Sequence, residues 1–227
     1  MNVFECALSD QFNNDAADVL WLHNTYGGPE EMPVDVFFRD PEDMPEMELY
    51  ALSLCKGKIL DVGAGVGSHA LVLQKAGLDV TALDISKTAC DISKLRGLSQ
   101  VINLDIFSHD SQKYDTILML MNGIGLAGRL ERLPALLEHC QLLLNKGGQI
   151  LFDSSDISYL YDDVPFPDNK YFGELSYKYQ YKGISGDWFN WLYVDKQTLE
   201  IYAAESGFKF QLLMEDDMDQ YLGRLSV

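Results

Sequence analysis

The sequence predicts an α/β fold built on a mostly parallel sheet with helices on both faces. Three observations carry this. The apolar run Ile59, Leu60, Val62, with Asp61 inside it, enters the loop Gly63-Ala64-Gly65-Val66-Gly67, and a helix-forming stretch follows from Ser68. Three more strand-like runs follow at 80–84, 101–105 and 114–121, and the first two close on Asp84 and Asp105. Helical patterns separate these runs, and strands alternating with helices imply a parallel sheet with right-handed crossovers.

The elements can be taken in chain order. Residues 12–22 read as a helix with Phe12, Ala16, Val19 and Leu20 on one face, broken by Tyr26-Gly27-Gly28-Pro29. Residues 35–39 form a short extended or loop piece, and Pro41, Pro45 and the acids between them a solvated turn. Residues 46–54 carry Met47, Tyr50, Ala51 and Leu54 at helical spacing. Between the strand-like runs, helices are expected at 68–76, 87–97 and 133–144. The last has Leu133, Leu137, Cys140 and Leu144 on one stripe, Pro134 in its first turn and Gly147-Gly148 closing it. A fifth strand covers 149–153. Residues 154–193 are rich in aromatic residues, and the alternation in 175–181 and 188–193 around Gly183 and Gly186 suggests a β-hairpin. Asp195 then caps a helix that closes at Gly207, and 208–214 and 221–227 read as the last two strands.

Composition bounds the function. The chain has 227 residues, 47% of them hydrophobic, enough for one large α/β domain. No run approaches the ~20 apolar residues of a membrane span, and the start lacks the basic and apolar regions of a signal peptide, so a cytoplasmic protein is expected. Cys6, Cys55, Cys90 and Cys140 form no Cys-x-x-Cys pair and no His cluster accompanies them, which fits reduced thiols and argues against a metal. Acids outnumber bases 35 to 17, for a net charge of −18. That field repels a phosphate backbone, so nucleic acid is a poor partner, whereas a cationic or neutral small molecule or a basic protein segment is compatible. Oligomeric state is not legible.

Glycine permits positive φ and lets a ligand approach the backbone where a Cβ would block it. A strand, a glycine turn and a helix in that order make a nucleotide-type cofactor site at the carboxyl end of a parallel strand. The spacing is Gly-x-Gly-x-Gly and not the longer Gly-x-Gly-x-x-Gly of dinucleotide binders. Asp84 follows Gly67 by 17 residues, roughly where an acid that grips a ribose diol is expected.

With these residues the chain resembles the class I S-adenosylmethionine-dependent methyltransferases, well over 57–152 and moderately over 194–227. The resemblance implies a Rossmann-like seven-stranded sheet with one antiparallel strand near its end, and S-adenosyl-L-methionine as cofactor. It implies that Asp61, Gly63, Ala64, Gly65 and Gly67 meet the methionine part and ribose of that cofactor. Asp84 would hold the ribose hydroxyls with Ile85 against the adenine, Asp105 would receive the adenine amino group with Ile106 on the ring face, and Asn122 would lie near the sulfonium. Residues 1–56 become a helical lid over the cleft, 57–153 the cofactor-binding core, 154–193 a substrate-facing insertion and 194–227 the closing helix and strands of one domain. No Asn-Pro-Pro-Tyr run follows the fourth strand, so the amino-methylating DNA enzymes fit poorly.

Each candidate has a plainer reading. The glycines could form only a tight turn, Asp84 or Ser86 could be a helix cap, Asp105 could be a turn residue, and Asn122-Gly123 is a good turn dipeptide. His69, in a first helical turn, is more often structural than catalytic. Trp21, His23, Tyr26 and Arg39 are the candidate functional residues of the lid. Tyr26, His23 and Asp153 are the candidates for a general base. Trp188 and Trp191 are candidates for the acceptor wall. Two rival functions stay open: a non-catalytic S-adenosylmethionine-binding module, and a nicotinamide-dependent oxidoreductase, against which the glycine spacing argues.

Overall fold

The computed structural model describes residues 2–15 and 18–227. In chain order its main elements are α1 (Val3–Asn13), β1 (Trp21–Asn24), β2 (Glu30–Glu31), α2 (Glu46–Ser53), β3 (Lys58–Val62), α3 (Ser68–Lys75), β4 (Asp79–Asp84), α4 (Lys87–Leu95), β5 (Val101–Asn103), β6 (Tyr114–Met119), α5 (Leu133–Leu143), β7 (Leu144–Ser155), β8 (Glu174–Tyr181), β9 (Ile184–Ser185), β10 (Phe189–Leu192), α6 (Lys196–Glu205), β11 (Lys209–Glu215) and β12 (Gln220–Ser226).

Seven strands form the main sheet in the order β11-β12-β7-β6-β3-β4-β5. The pairs β3–β4, β3–β6, β4–β5 and β6–β7 are parallel, while β12 is antiparallel to both β7 and β11. The alternation of side chains along a strand divides the core. Leu60 and Val62 pack with Leu136, Leu137 and Leu199 from α5 and α6, whereas Ile59 packs with Met47, Ala51, Ala70 and Leu73 from α2 and α3. Asp61 shares the second face with Ile59, and this brings it to α3.

Four other strands run β10-β8-β1-β2, with β9 paired to β8, as an antiparallel second sheet. The amino-terminal segment and the aromatic insertion, expected as separate additions, are thus joined. Trp21 to Asn24 pair with Gln180 to Tyr177 across more than 150 residues of chain.

Two expectations are corrected, and a third is narrowed. The helix expected over 12–22 instead spans Val3–Asn13, because Asn2 and Glu5 form a reciprocal capping box and Asn14 stops it in a left-handed turn. Leu22 and Val19 belong to a strand and the chain leading into it, and Ala16 lies outside the described residues. Residues 35–39, expected as an extended or loop piece, take the second form, a 3-10 turn over 34–37 followed by a bend. Gly147 and Gly148 do not cap α5. Leu144 is already extended and pairs with Tyr114, so both glycines lie inside β7.

Candidate functional site

A cavity of about 630 Å³ opens where the carboxyl ends of β3, β4 and β6 face the second sheet. The two sides differ in chemistry.

The main-sheet side is polar. Gly63 and Gly65 adopt φ of +69° and +54°, and both line the cavity. A Cβ built on Gly65 would meet nothing within 4 Å, so this glycine borders open space. Gly67 differs: a Cβ there would stand 2.4 Å from Leu98 Cδ1. Its smallness serves the packing of α3, and it does not line the cavity. The Asp84 carboxylate accepts hydrogen bonds from the backbone N–H groups of Gly65 (2.8 Å) and Ser86 (2.7 Å). It therefore ties the glycine loop to the end of β4 and keeps lone pairs free on both oxygens. Burial raises its pKa above the ordinary carboxylate value. Ser86, in turn, caps α4 and donates to Glu5 Oε1 at 2.7 Å, which pins the first turn of α1 beside Asp84.

Deeper in, four charged side chains cluster. Arg39 Nη2 donates to both oxygens of Glu48 (2.7 and 2.9 Å), and His69 Nε2 lies 2.7 Å from Glu48 Oε2. Burial alone would lower the His69 pKa, but Glu48 and Asp61 outweigh it and hold it above the ordinary value. Asp61 is 2% exposed, and its Oδ2 has no hydrogen-bond partner. Burial pushes its pKa up to about 6 against the pull of His69. Arg39 Nε is likewise buried without a partner. Unpaired groups of this kind are costly, and the residues that carry them line the cavity.

Met121 and Asn122, after β6, both adopt left-handed backbone, with φ of 59° and 55°. The turn is held from behind: both oxygens of Asp153 accept from Asn122 N at 2.9 Å, and Gln220 Nε2 donates to Asp153 at 2.8 Å. Asn122 Nδ2 donates to Leu192 O at 3.1 Å, while its Oδ1 is buried without a partner.

The second-sheet side is aromatic. Tyr177, Tyr179, Phe189, Trp191 and Tyr193 line it, joined by Phe4 from α1 and Leu22 from β1. Pairing explains which residues face inward. Leu22 opposes Tyr179 and Phe189 opposes Tyr177, so these share the cavity face. Trp21 opposes Gln180 and His23 opposes Lys178 on the outer face, where Trp188 stacks over Lys178.

The predicted residues are thus sorted. Asp61, Gly63, Ala64, Gly65, Asp84, Ile85 and Asn122 line one cavity with Arg39 and His69. Asp105 and Ile106 do not: the Asp105 carboxylate accepts from Phe107 N, capping a short turn that buries Ile106 in the core. Of the candidate bases, His23 pairs with Gln180 on the outer face at 2.8 Å. Tyr26 packs edge-on against Tyr177, outside the cavity lining, and burial and Glu30 push its pKa to about 12. Asp153 is buried behind the Asn122 turn and acts there as a backbone anchor. Glu48 and the amino-terminal turn of α1 were missed. The Asn2-x-x-Glu5 capping pattern would have revealed the latter, whereas nothing local marks Glu48 as buried.

Comparison with known proteins agrees with this architecture. Residues 36–212 match the family described as a methyltransferase domain. An S-adenosylmethionine-dependent methyltransferase from Bacteroides fragilis, crystallised with S-adenosyl-L-homocysteine, is 42% identical. It superposes over 100% of this chain and 94% of its own, with a TM-score of 0.91. The CcbJ methyltransferase from Streptomyces caelestis shares the fold at 16% identity, with a TM-score of 0.65 over 84% of this chain and 94% of its own. The ubiquinone biosynthesis O-methyltransferase of Coxiella burnetii is 30% identical over 110 residues, and this chain spans less than half of that relative, with 44% of each chain aligned. The chain belongs to the class I S-adenosylmethionine-dependent methyltransferases, and S-adenosyl-L-methionine is its methyl donor.

Proposed function

We propose that the polar side of the cavity holds the methyl donor and the aromatic side a small-molecule acceptor. The observation that carries this is the meeting of Asp84 with Gly65 at a loop whose Cβ space is open. A nucleoside can approach the backbone there, with its ribose hydroxyls donating to the free lone pairs of Asp84. Ile85, 72% exposed on the cavity rim, offers an apolar surface for the base. The unpartnered Asp61 Oδ2 suits the donor's ammonium group, and Arg39, with its free Nε, suits the carboxylate. These unpaired atoms of opposite sign fit a zwitterionic amino-acid end.

When bound, the donor supplies an electrophilic methyl group on a sulfonium, and the protein's task is alignment in a water-poor site. Alignment alone can be worth about 7–11 kcal/mol of barrier. The Asp153-anchored turn fixes Asn122 at the junction of the two sides, and the aromatic wall excludes water around the acceptor. The Bacteroides relative's complex with S-adenosyl-L-homocysteine supports the donor assignment. The Coxiella relative's O-methyl transfer is not carried over, because the alignment leaves more than half of each chain unmatched.

The net charge supports a neutral or cationic acceptor in preference to nucleic acid. Four unbridged cysteines support a cytoplasmic setting. No helix among the described residues is long and apolar enough to cross a membrane.

Thermal denaturation tests the reading. Adenosylhomocysteine at 100 times its dissociation constant adds about 2.7 kcal/mol to stability and raises the melting temperature, while NAD leaves it unchanged. Stabilisation by NAD alone would overturn the assignment.

A further inference from the structure

We infer that the acceptor is an amine, methylated on nitrogen, with Asn122 Oδ1 taking an N–H of the attacking group. This rests on the donor lying along the glycine loop. Three features of the aromatic side point to it. First, Asn122 lines the cavity at the junction of the two sides, its Nδ2 is committed to Leu192 O, and its Oδ1 lacks a donor. A neutral amine brings an N–H for that oxygen and keeps a lone pair for the methyl carbon. A phenolate, carboxylate or thiolate has no hydrogen to give and would meet a lone pair with a lone pair.

Second, charge in the cavity is unfavourable to an anionic nucleophile. The cations lining it are Arg39 and His69, both engaged by Glu48, while Asp61 and Asp84 line the donor side and Asp187 stands at the rim. On the aromatic side, the described residues that line the cavity include no Lys, Arg or His to receive an oxyanion. Aromatic side chains stand there instead, and none of them carries a positive charge.

Third, a low-polarity wall acts oppositely on the two nucleophile classes. Burial pushes the wall's own Tyr179 up to about 12 and raises Tyr177 and Tyr193 as well. A bound phenol would be raised for the same reason, while a bound ammonium would lose its proton more readily. Amines are therefore prepared for attack without a basic side chain, and phenols are held in their inactive form.

The reaction balances. The neutral amine's lone pair forms the N–CH3 bond as the S–CH3 bond breaks. Sulfur keeps the bonding pair and leaves as a neutral thioether, and the methylated ammonium gives its extra proton to water. No oxidant, reductant or second substrate is required.

The test pairs matched probes on the whole protein. Adenosylhomocysteine binding is measured first by titration calorimetry. Methyl transfer from labelled adenosylmethionine is then followed for phenethylamine, benzylamine and N-methylbenzylamine against 4-ethylphenol and catechol. Calorimetry on the adenosylhomocysteine complex reads binding of the same probes independently of turnover. The expected result is labelled methyl on amines and not on phenols, with amine binding strengthening at least threefold between pH 7 and pH 9. Asn122→Gly keeps the left-handed turn and removes the acceptor; it should lower kcat on amines at least tenfold while adenosylhomocysteine affinity stays within threefold. Methylation of the phenols, or failure of every amine to bind and react on a protein that binds adenosylhomocysteine, overturns this inference alone. Failure to bind adenosylhomocysteine would instead remove the donor assignment on which it rests.

Discussion

The two walls of the cavity are built by different rules. On the main-sheet wall the functional atoms lie at strand ends and in one loop. Asp61, Gly65 and Asp84 are within 24 residues of one another, and each occupies a position fixed by a parallel sheet. On the aromatic wall Leu22 and Tyr179 are neighbours only because β1 pairs with β8. The first wall carries charged and hydrogen-bonding groups, with five titratable side chains in or beside it: Arg39, Glu48, Asp61, His69 and Asp84. The second is built of aromatic side chains. On the proposed reading, one scaffold presents a polar wall to the donor and an aromatic wall to the acceptor.

The largest expected effect comes from filling the first wall. Gly65→Val should abolish measurable adenosylhomocysteine binding while leaving the circular dichroism spectrum intact. Its side chain would stand in the open cavity, and β-branching opposes the required φ of +54°. Undiminished affinity in a folded variant would show that the loop does not touch the ligand.

Next comes Asp84→Ala. Charge-assisted hydrogen bonds are the strong ones, and losing those to the ribose at about 1.5–3 kcal/mol each should weaken cofactor binding by roughly one to three orders of magnitude. Asp84→Asn should recover only part of this. Equal affinity of the Ala variant and the wild type, by calorimetry, would reduce Asp84 to a loop tether.

A smaller effect is expected from pH. Asp61 has its folded pKa at about 6, above the unfolded value of about 3.9. As a raised carboxyl, it contributes stability at low pH that is lost as pH rises through 6. Ligand binding runs the other way, because the donor's ammonium needs the carboxylate. Adenosylhomocysteine affinity should therefore fall below pH 6, by up to about tenfold per pH unit. Asp61→Asn should flatten that region and bind more weakly at pH 7.5. An unchanged profile in the variant would assign the dependence to another group.

The smallest effect on the donor, and the sharpest contrast between walls, belongs to the aromatic side. Phe189→Leu removes an inward ring face while keeping bulk. It should raise the acceptor KM severalfold and leave adenosylhomocysteine affinity within threefold. Trp188→Ala, on the outer face over Lys178, should change neither. An effect of Trp188 equal to that of Phe189 would mean that the inward and outward faces of the hairpin have been wrongly distinguished.

The same division explains what could be read in the sequence. The strand-loop-helix at 58–75 and the acids at 61 and 84 are local, so periodicity and spacing exposed them. Asp105 had the same local signature, yet it lies outside the cavity lining and its Oδ1 accepts from Phe107 N, a placement that strand-end spacing cannot reveal. The hairpin was legible from alternation, but which of Trp188 and Trp191 faces inward depends on register with β8. The strand at Trp21–Asn24 was hidden because its partner lies so far along the chain. His23 looked like a base by residue type alone, and only its place opposite Lys178 turns it outward. Asp153 carried the right chemistry at a strand end, but the Asn122 backbone and Gln220 already claim it.

On the proposed reading, donor and acceptor are held by separate walls. Titration of adenosylhomocysteine into wild type, Asp84→Ala and Phe189→Leu tests it most directly. Asp84→Ala should lose at least tenfold in affinity, and Phe189→Leu should change it less than threefold. A tenfold loss from Phe189→Leu with an unchanged Asp84→Ala would contradict it.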